Sequence, residues 1–363
     1  MQLDTKTTLS LILSFTLIFS SCIKDLGNNQ VACVENLVSS NPEKTKGYIV
    51  KITNSELPFT WNFNTLKTTL ATIGLENDYK ITNFYSAVFK GFAVNQLTPK
   101  DLLLIKNLPW VERISKNTSL TILQNCSGSS FEINKEQITP NGIKIVGSND
   151  ATGKRVYVFD TGVDVNHPDL IVDNNLSRDF TDLTSVIDLG VFSSQNINDE
   201  NGHGTHVSGT IAAKNNNIGV KGVAANASIV ALKVLNSDGA GSSANLIQAI
   251  DYAFVIAQSG EVANMSLGGP ANDLVDLSVR LLAQKGVLIS IAAGNESQLA
   301  NNVSPARSNG DNIYTVSAVN DQFEFAFYSN FGNPPIDYAE PGNSVLSCAP
   351  NGKYSYKSGT SMA

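Results

Sequence analysis

From about residue 136 onward, short apolar strands alternate with helical spacing and Gly-rich turns, and this pattern constrains the chain more than any other feature. Residues 155–159, 228–234, 262–266 and 287–292 are strand-like runs that place apolar residues on both faces, and helical spacing fits 246–258 and 274–284. A strand that is apolar on both faces must be covered on both, which crossover helices achieve and open hairpins do not. The pattern predicts an α/β fold, a parallel sheet with helices on both faces, over residues 136–363.

The upstream region reads differently. Residues 47–52 and 87–94 are strand-like, and Leu66, Leu70 and Ile73 keep helical spacing. Thr98-Pro99-Lys100-Asp101 is a helix start, Pro109 a stop, and 111–114 a further strand. This order predicts a small α+β domain spanning 45–118. Residues 119–135 lose periodicity around Cys126-Ser127-Gly128-Ser129-Ser130 and read as a linker, as do the Asn/Ser-rich residues 23–44. No internal repeat is present.

Composition removes several functions. Charged residues are 16% of the chain, well under the usual ~25%, and the net charge is −7 without any Lys/Arg cluster. A nucleic-acid binder needs a basic footprint to release counterions, and none exists here. Residues 9–19 form an apolar run too short to span a bilayer, followed by Ser20 and Ser21, which matches a signal peptide over 1–22. Cys22 then sits where a bacterial lipoprotein would be cleaved and lipidated; a plain signal peptide with an incidental cysteine is the other reading. Of the remaining cysteines, Cys33, Cys126 and Cys348, one pair could form in an oxidising compartment, and the sequence does not say which. Their spacing suits no zinc site.

Three histidines exist in the chain, His167, His203 and His206, so a histidine base must be one of them. His203-Gly204-Thr205-His206 stands at a helix start after a turn-prone Asp199-Glu200-Asn201-Gly202. Asp160 ends a strand, where open parallel sheets build their sites, and Ser361 lies in Gly359-Thr360-Ser361-Met362-Ala363. Each is weak alone, but together they form an Asp…His…Ser order in Gly/Thr-rich turns of one domain.

The segments Asp160-Thr161-Gly162-Val163-Asp164, His203-Gly204-Thr205-His206 and Gly359-Thr360-Ser361-Met362-Ala363 resemble the three signature motifs of the subtilisin-like serine proteases. The resemblance runs from about Glu136 to the end. Lys90-Gly91-Phe92-Ala93 and 108–114 resemble the family's propeptide, an intramolecular chaperone and inhibitor. What the resemblance implies is an exported serine endopeptidase made as a zymogen, acting on polypeptides. Ser361 would be the nucleophile, His203 its base and Asp160 the group that orients His203. Asn295 would donate to the oxyanion. Ser266, Leu267 and Gly268 would pair with substrate opposite Gly239, with Ala292 and Gly294 completing the pocket. His206 and His167 would be non-catalytic.

The resemblance also implies a structural Ca²⁺ held by Gln137, Asp169, Lys214, Asn216, Ile218 and Val220 through oxygen atoms, and no catalytic cofactor. Self-cleavage is expected between about Lys116 and Glu136. The family's chain continues past the position of Ala363 with a proline and a helix, so the sequence reads as C-terminally incomplete. A non-catalytic fragment that only binds peptides or its own propeptide is the alternative.

Overall fold

Four antiparallel strands between residues 47 and 116 form one sheet. Their order across the sheet is Lys80–Tyr85, Gly91–Asn95, Gly47–Ile52, Val111–Lys116. They belong to a computed structural model that describes residues 23–24, 31–32, 47–53, 57–75, 79–133, 136–181 and 196–363. The signal-like residues 1–22, with Cys22, lie outside the described residues, as do Cys33 and most of 23–44.

Helices Phe63–Thr72 and Pro99–Lys106 cover one face of this sheet. Thr98 caps the second as its sequence predicts: its hydroxyl accepts from Asp101 N, while the Asp101 carboxylate accepts from Thr98 N. Val50, Ile52, Phe92 and Val94 then pack on Leu66, Leu70, Ile105 and Trp110.

Among the described residues, no helix of this unit covers the opposite face. Ile49, Tyr85, Phe89 and Ala93 instead join the main core of the α/β domain, beside Leu246, Ile247 and Ile250 of helix Ser243–Ile256. Residues 87–90, expected as strand, form the turn that docks there. Ser86, Ala87 and Val88 donate their N–H groups to the buried Asp251 carboxylate at 3.2, 2.7 and 2.7 Å. Asn117 Oδ1 also accepts from Ser243 Oγ and Ala244 N, so the amino-terminal unit supplies a cap to the helix it rests on.

In the α/β domain a parallel sheet runs in the order Ile171–Val172, Ser228–Lys233, Arg155–Asp160, Val262–Met265, Leu288–Ala292, Ile313–Val319, Ile336–Pro341, with Arg178–Asp179 also on Ser228–Lys233. Alternation sorts each strand between two cores. Tyr157 and Phe159 face helices Ser243–Ile256 and Asp273–Gln284. Val156 and Val158 face Val207 of helix His203–Ala212 and Met362. Helices therefore cover both faces, as the apolar strands require.

Residues 119–122 depart from the linker expectation. Ser119–Ile122 is a strand set between Ala240–Ser242 and Leu267–Pro270, antiparallel to both. Two flanking edges satisfy its backbone on either side. Beyond it, Cys126–Ser127 pairs with Lys357 and Ser358 of strand Lys353–Ser358. Cys126 is disulfide-bonded, while Cys348 is a buried free thiol. Among the described residues no helix is long and apolar enough to cross a membrane.

Candidate active site

Asp160 ends its strand fully buried, and helix His203–Ala212 begins against it. His203 Nδ1 donates to Asp160 Oδ1 at 2.7 Å. Gly204 permits that approach, because a Cβ there would fall 2.1 Å from Gly162 O and 3.1 Å from Asp160 Oδ1. Asp199 stitches the two turns together. Its carboxylate accepts from Thr161 Oγ1, Gly202 N, Thr205 N and Thr205 Oγ1 at 2.6–2.7 Å. The sequence offered only a turn signal at this aspartate.

With its Nδ1 proton engaged, His203 presents a bare Nε2, which is buried and without a hydrogen-bond partner. Ser361 Oγ donates instead to Ser266 O at 3.1 Å. Asp160 and His203 are thus joined, and the serine hydroxyl is held in the cleft but turned to its wall.

The cleft already holds a piece of the chain. Ile122 N donates to Gly239 O at 3.0 Å, and Leu123 N donates to Ser266 O at 3.4 Å. Leu267 pairs with Ile122, and Gly268 with Thr121. Ser361 N donates to Leu123 O at 3.3 Å. The Leu123 side chain is buried against Gly268: a Cβ at that glycine would lie 2.9 Å from Val303 Cγ1 and 3.2 Å from Leu123 Cδ1. Ser266, Leu267, Gly268 and Gly239 therefore all contact the segment. Ala292 and Gly294 do not hydrogen-bond to it. Ala292 ends its strand paired with Val316, and Gly294 N donates to Thr360 Oγ1 at 3.1 Å.

Asn295 Oδ1 accepts from Thr360 N and Thr360 Oγ1, both at 2.9 Å, which fixes the amide beside Ser361. Its Nδ2 is buried and unpartnered. Buried donors without acceptors are rare and call for an explanation. Asn330, unremarked in the sequence, shapes this loop by accepting from Glu296 N and Gln298 N and donating to Ala293 O.

The other two histidines hold structure. His206 Nε2 donates to Val345 O and Ser355 O at 3.1 Å, tying two strands. Burial, with Lys357 and His203 nearby, holds its pKa well below the usual histidine value. His167 Nε2 lies 2.9 Å from Lys353 O.

Away from the cleft, Gln137 Nε2 lies within 2.7–3.2 Å of four oxygens: Lys214 O, Asn216 Oδ1, Ile218 O and Val220 O. Asp169 is buried beside them, accepting from Asn216 Nδ2 and Val220 N. Burial raises its carboxyl pKa, against those two bonds.

A parallel sheet carrying a joined Asp160–His203 pair, with Asn295 and Ser361 beside an extended segment of the same chain, is the setting of a serine-type peptidase. Residues 151–363 match the sequence profile of the subtilase family, and the chain belongs to it. It is similar to the thermostable alkaline protease of Halalkalibacterium halodurans, at 38% identity over 74% of this chain and 68% of that protein. With the major intracellular serine protease of Bacillus subtilis it shares 39% identity, over 62% of this chain and 71% of the other. A solved cold-adapted subtilisin-like serine proteinase superposes with a TM-score of 0.52 at 35% identity, over 60% of this chain and 73% of that one.

Proposed function

We propose that this subtilase is an exported endopeptidase made as a zymogen, and that residues 45–118 are a propeptide whose tail is the enzyme's first substrate. One observation carries the reading. The carbonyl of Leu123 accepts from Ser361 N while residues 119–122 pair with both walls of the cleft. This arrangement supports Leu123–Gln124 as the bond cleaved in maturation.

In that reaction the Ser361 hydroxyl turns from Ser266 O to the bare Nε2 of His203. Oγ adds to the Leu123 carbonyl carbon as its proton passes to Nε2. Asp160, bonded to Nδ1, stabilises the imidazolium. The carbonyl oxygen, now an oxyanion, is met by Ser361 N–H and the unpartnered Asn295 amide. His203 gives its proton to the departing Gln124 nitrogen, and water then releases Leu123 from the acyl-enzyme.

We further propose that Gln137, Asp169, Lys214, Asn216, Ile218 and Val220 hold Ca²⁺. The donor set fits, because one amide NH₂ has two hydrogens and cannot satisfy four acceptors. Turned about, the Gln137 amide offers a fifth oxygen, and Asp169 supplies negative charge for a hard cation. Bound there, the ion would lock the loop without joining the chemistry. Export follows from the signal-like residues 1–22, with Cys22 as a candidate lipid anchor.

The test is maturation itself. A Ser361→Ala precursor, once freed of its signal, should stay full length, and the active protein should begin at Gln124. Trimming of the purified Ser361→Ala chain would remove self-cleavage from the reading.

A further inference from the structure

Lys357 is a buried cation whose hydrogen bond goes to the residue after the proposed scissile bond. It sits on strand Lys353–Ser358 and is 6% exposed. Its Nζ donates to Gln124 Oε1 at 2.7 Å. Among the described residues it makes no other side-chain hydrogen bond and no ion pair. Burial pulls its pKa down, and the carboxylates of Asp199 and Asp160 act through space in the other direction. The backbone leading away from the bond is zipped to the same strand: Asn125 N donates to Ser358 O at 2.7 Å and Gly128 N to Tyr356 O at 2.7 Å. That pairing delivers the side chain of residue 124 to the ammonium.

We propose that Lys357 selects the residue immediately after the cleaved bond, favouring side chains that present an oxygen acceptor, glutamate first, and rejecting lysine and arginine. The proposal rests on the reading that Leu123–Gln124 occupies the position of the scissile bond. A substrate entering the cleft strips water from Lys357. An apolar side chain then leaves the ammonium buried without a partner, which is costly. A glutamine oxygen replaces the lost hydrogen bond. A glutamate carboxylate does so with opposite charge, which adds Coulombic attraction where the surroundings are poorly solvated. A second cation adds repulsion at close range, the kind of negative element that specificity also needs. It follows that the chain's own junction, with glutamine, is not its best substrate.

Peptides identical except at that residue, bearing Glu, Gln, Leu or Lys after a common Leu, test this with the mature enzyme made from the full chain. In the wild type, kcat/KM should rank Glu, Gln, Leu, Lys, with Glu roughly 10-fold above Leu and Lys roughly 10-fold below it. Lys357→Met should compress the series to within about two-fold, and Lys357→Glu should place Lys above Glu. A flat wild-type series overturns the proposal even if neither variant folds, and a ranking that survives Lys357→Met overturns it equally. Sequencing the mature amino terminus separates the two readings. A start other than Gln124 sinks the maturation bond, while the peptide ranking still decides Lys357.

Discussion

The amino-terminal unit and the α/β domain are both helix-backed sheets, yet they close their cores in opposite ways. In the α/β domain Tyr157 and Phe159 are covered on one side and Val156 and Val158 on the other, all by elements of the same domain. The amino-terminal sheet covers Val50 and Phe92 with its own helices but leaves Ile49, Tyr85 and Phe89 to the neighbour's Ser243–Ile256 helix. Part of its core is borrowed. Such a unit is stable while docked and marginal once separated, which suits the propeptide role proposed for residues 45–118.

Four changes can break or sharpen that contrast. Asn295→Ala should lower turnover by roughly 10²–10³, the size established for the corresponding donor in subtilisin, with little change in substrate binding and none in the docked unit. Steady-state kinetics on a peptide would check it. Next, Asp251→Ala orphans the N–H groups of Ser86, Ala87 and Val88. Hydrogen exchange across 47–116 should speed up by about 10²-fold while the parallel sheet keeps its protection. Equal acceleration in both regions would mean that their cores are not separable.

Calcium should act on the α/β domain alone. At free ion about 100 times Kd it adds about 2.7 kcal/mol to the folded state. The gap in melting temperature between chelator and millimolar calcium should then shrink in Asp169→Ala. Smallest is a pH effect from His206, whose folded pKa is depressed by burial. The unfolded chain binds the extra proton, so this contribution is complete above about pH 6.5 and is lost progressively as pH falls toward the folded value. His206→Gln should flatten that part of the curve of melting temperature against pH.

The site was legible where a motif is local, and obscure where a role is assigned across the chain. Asp160, His203, Asn295 and Ser361 stand in short turns whose Gly and Thr neighbours are readable in sequence. Strand Ser119–Ile122 was read as linker because its pairing comes from two edges far along the chain. Lys80–Tyr85 was missed, and Ile336–Pro341 is a half-exposed outer strand with little apolar signal. Asp251 and Lys357 look like ordinary charged residues until residues 86–88 and 124 arrive beside them. No periodicity encodes those meetings.

If substrates bind as residues 119–122 do, that two-sided pairing also limits what the enzyme can digest. A chain enters the cleft only as a free, fully extended strand with both backbone edges unengaged. A folded target has already committed those edges to its own helices and sheets. Its cleavage must therefore wait for local opening, and where opening is fast the rate follows the population of the open form. On folded proteins, the speed of such a protease measures the target's stability as much as its sequence.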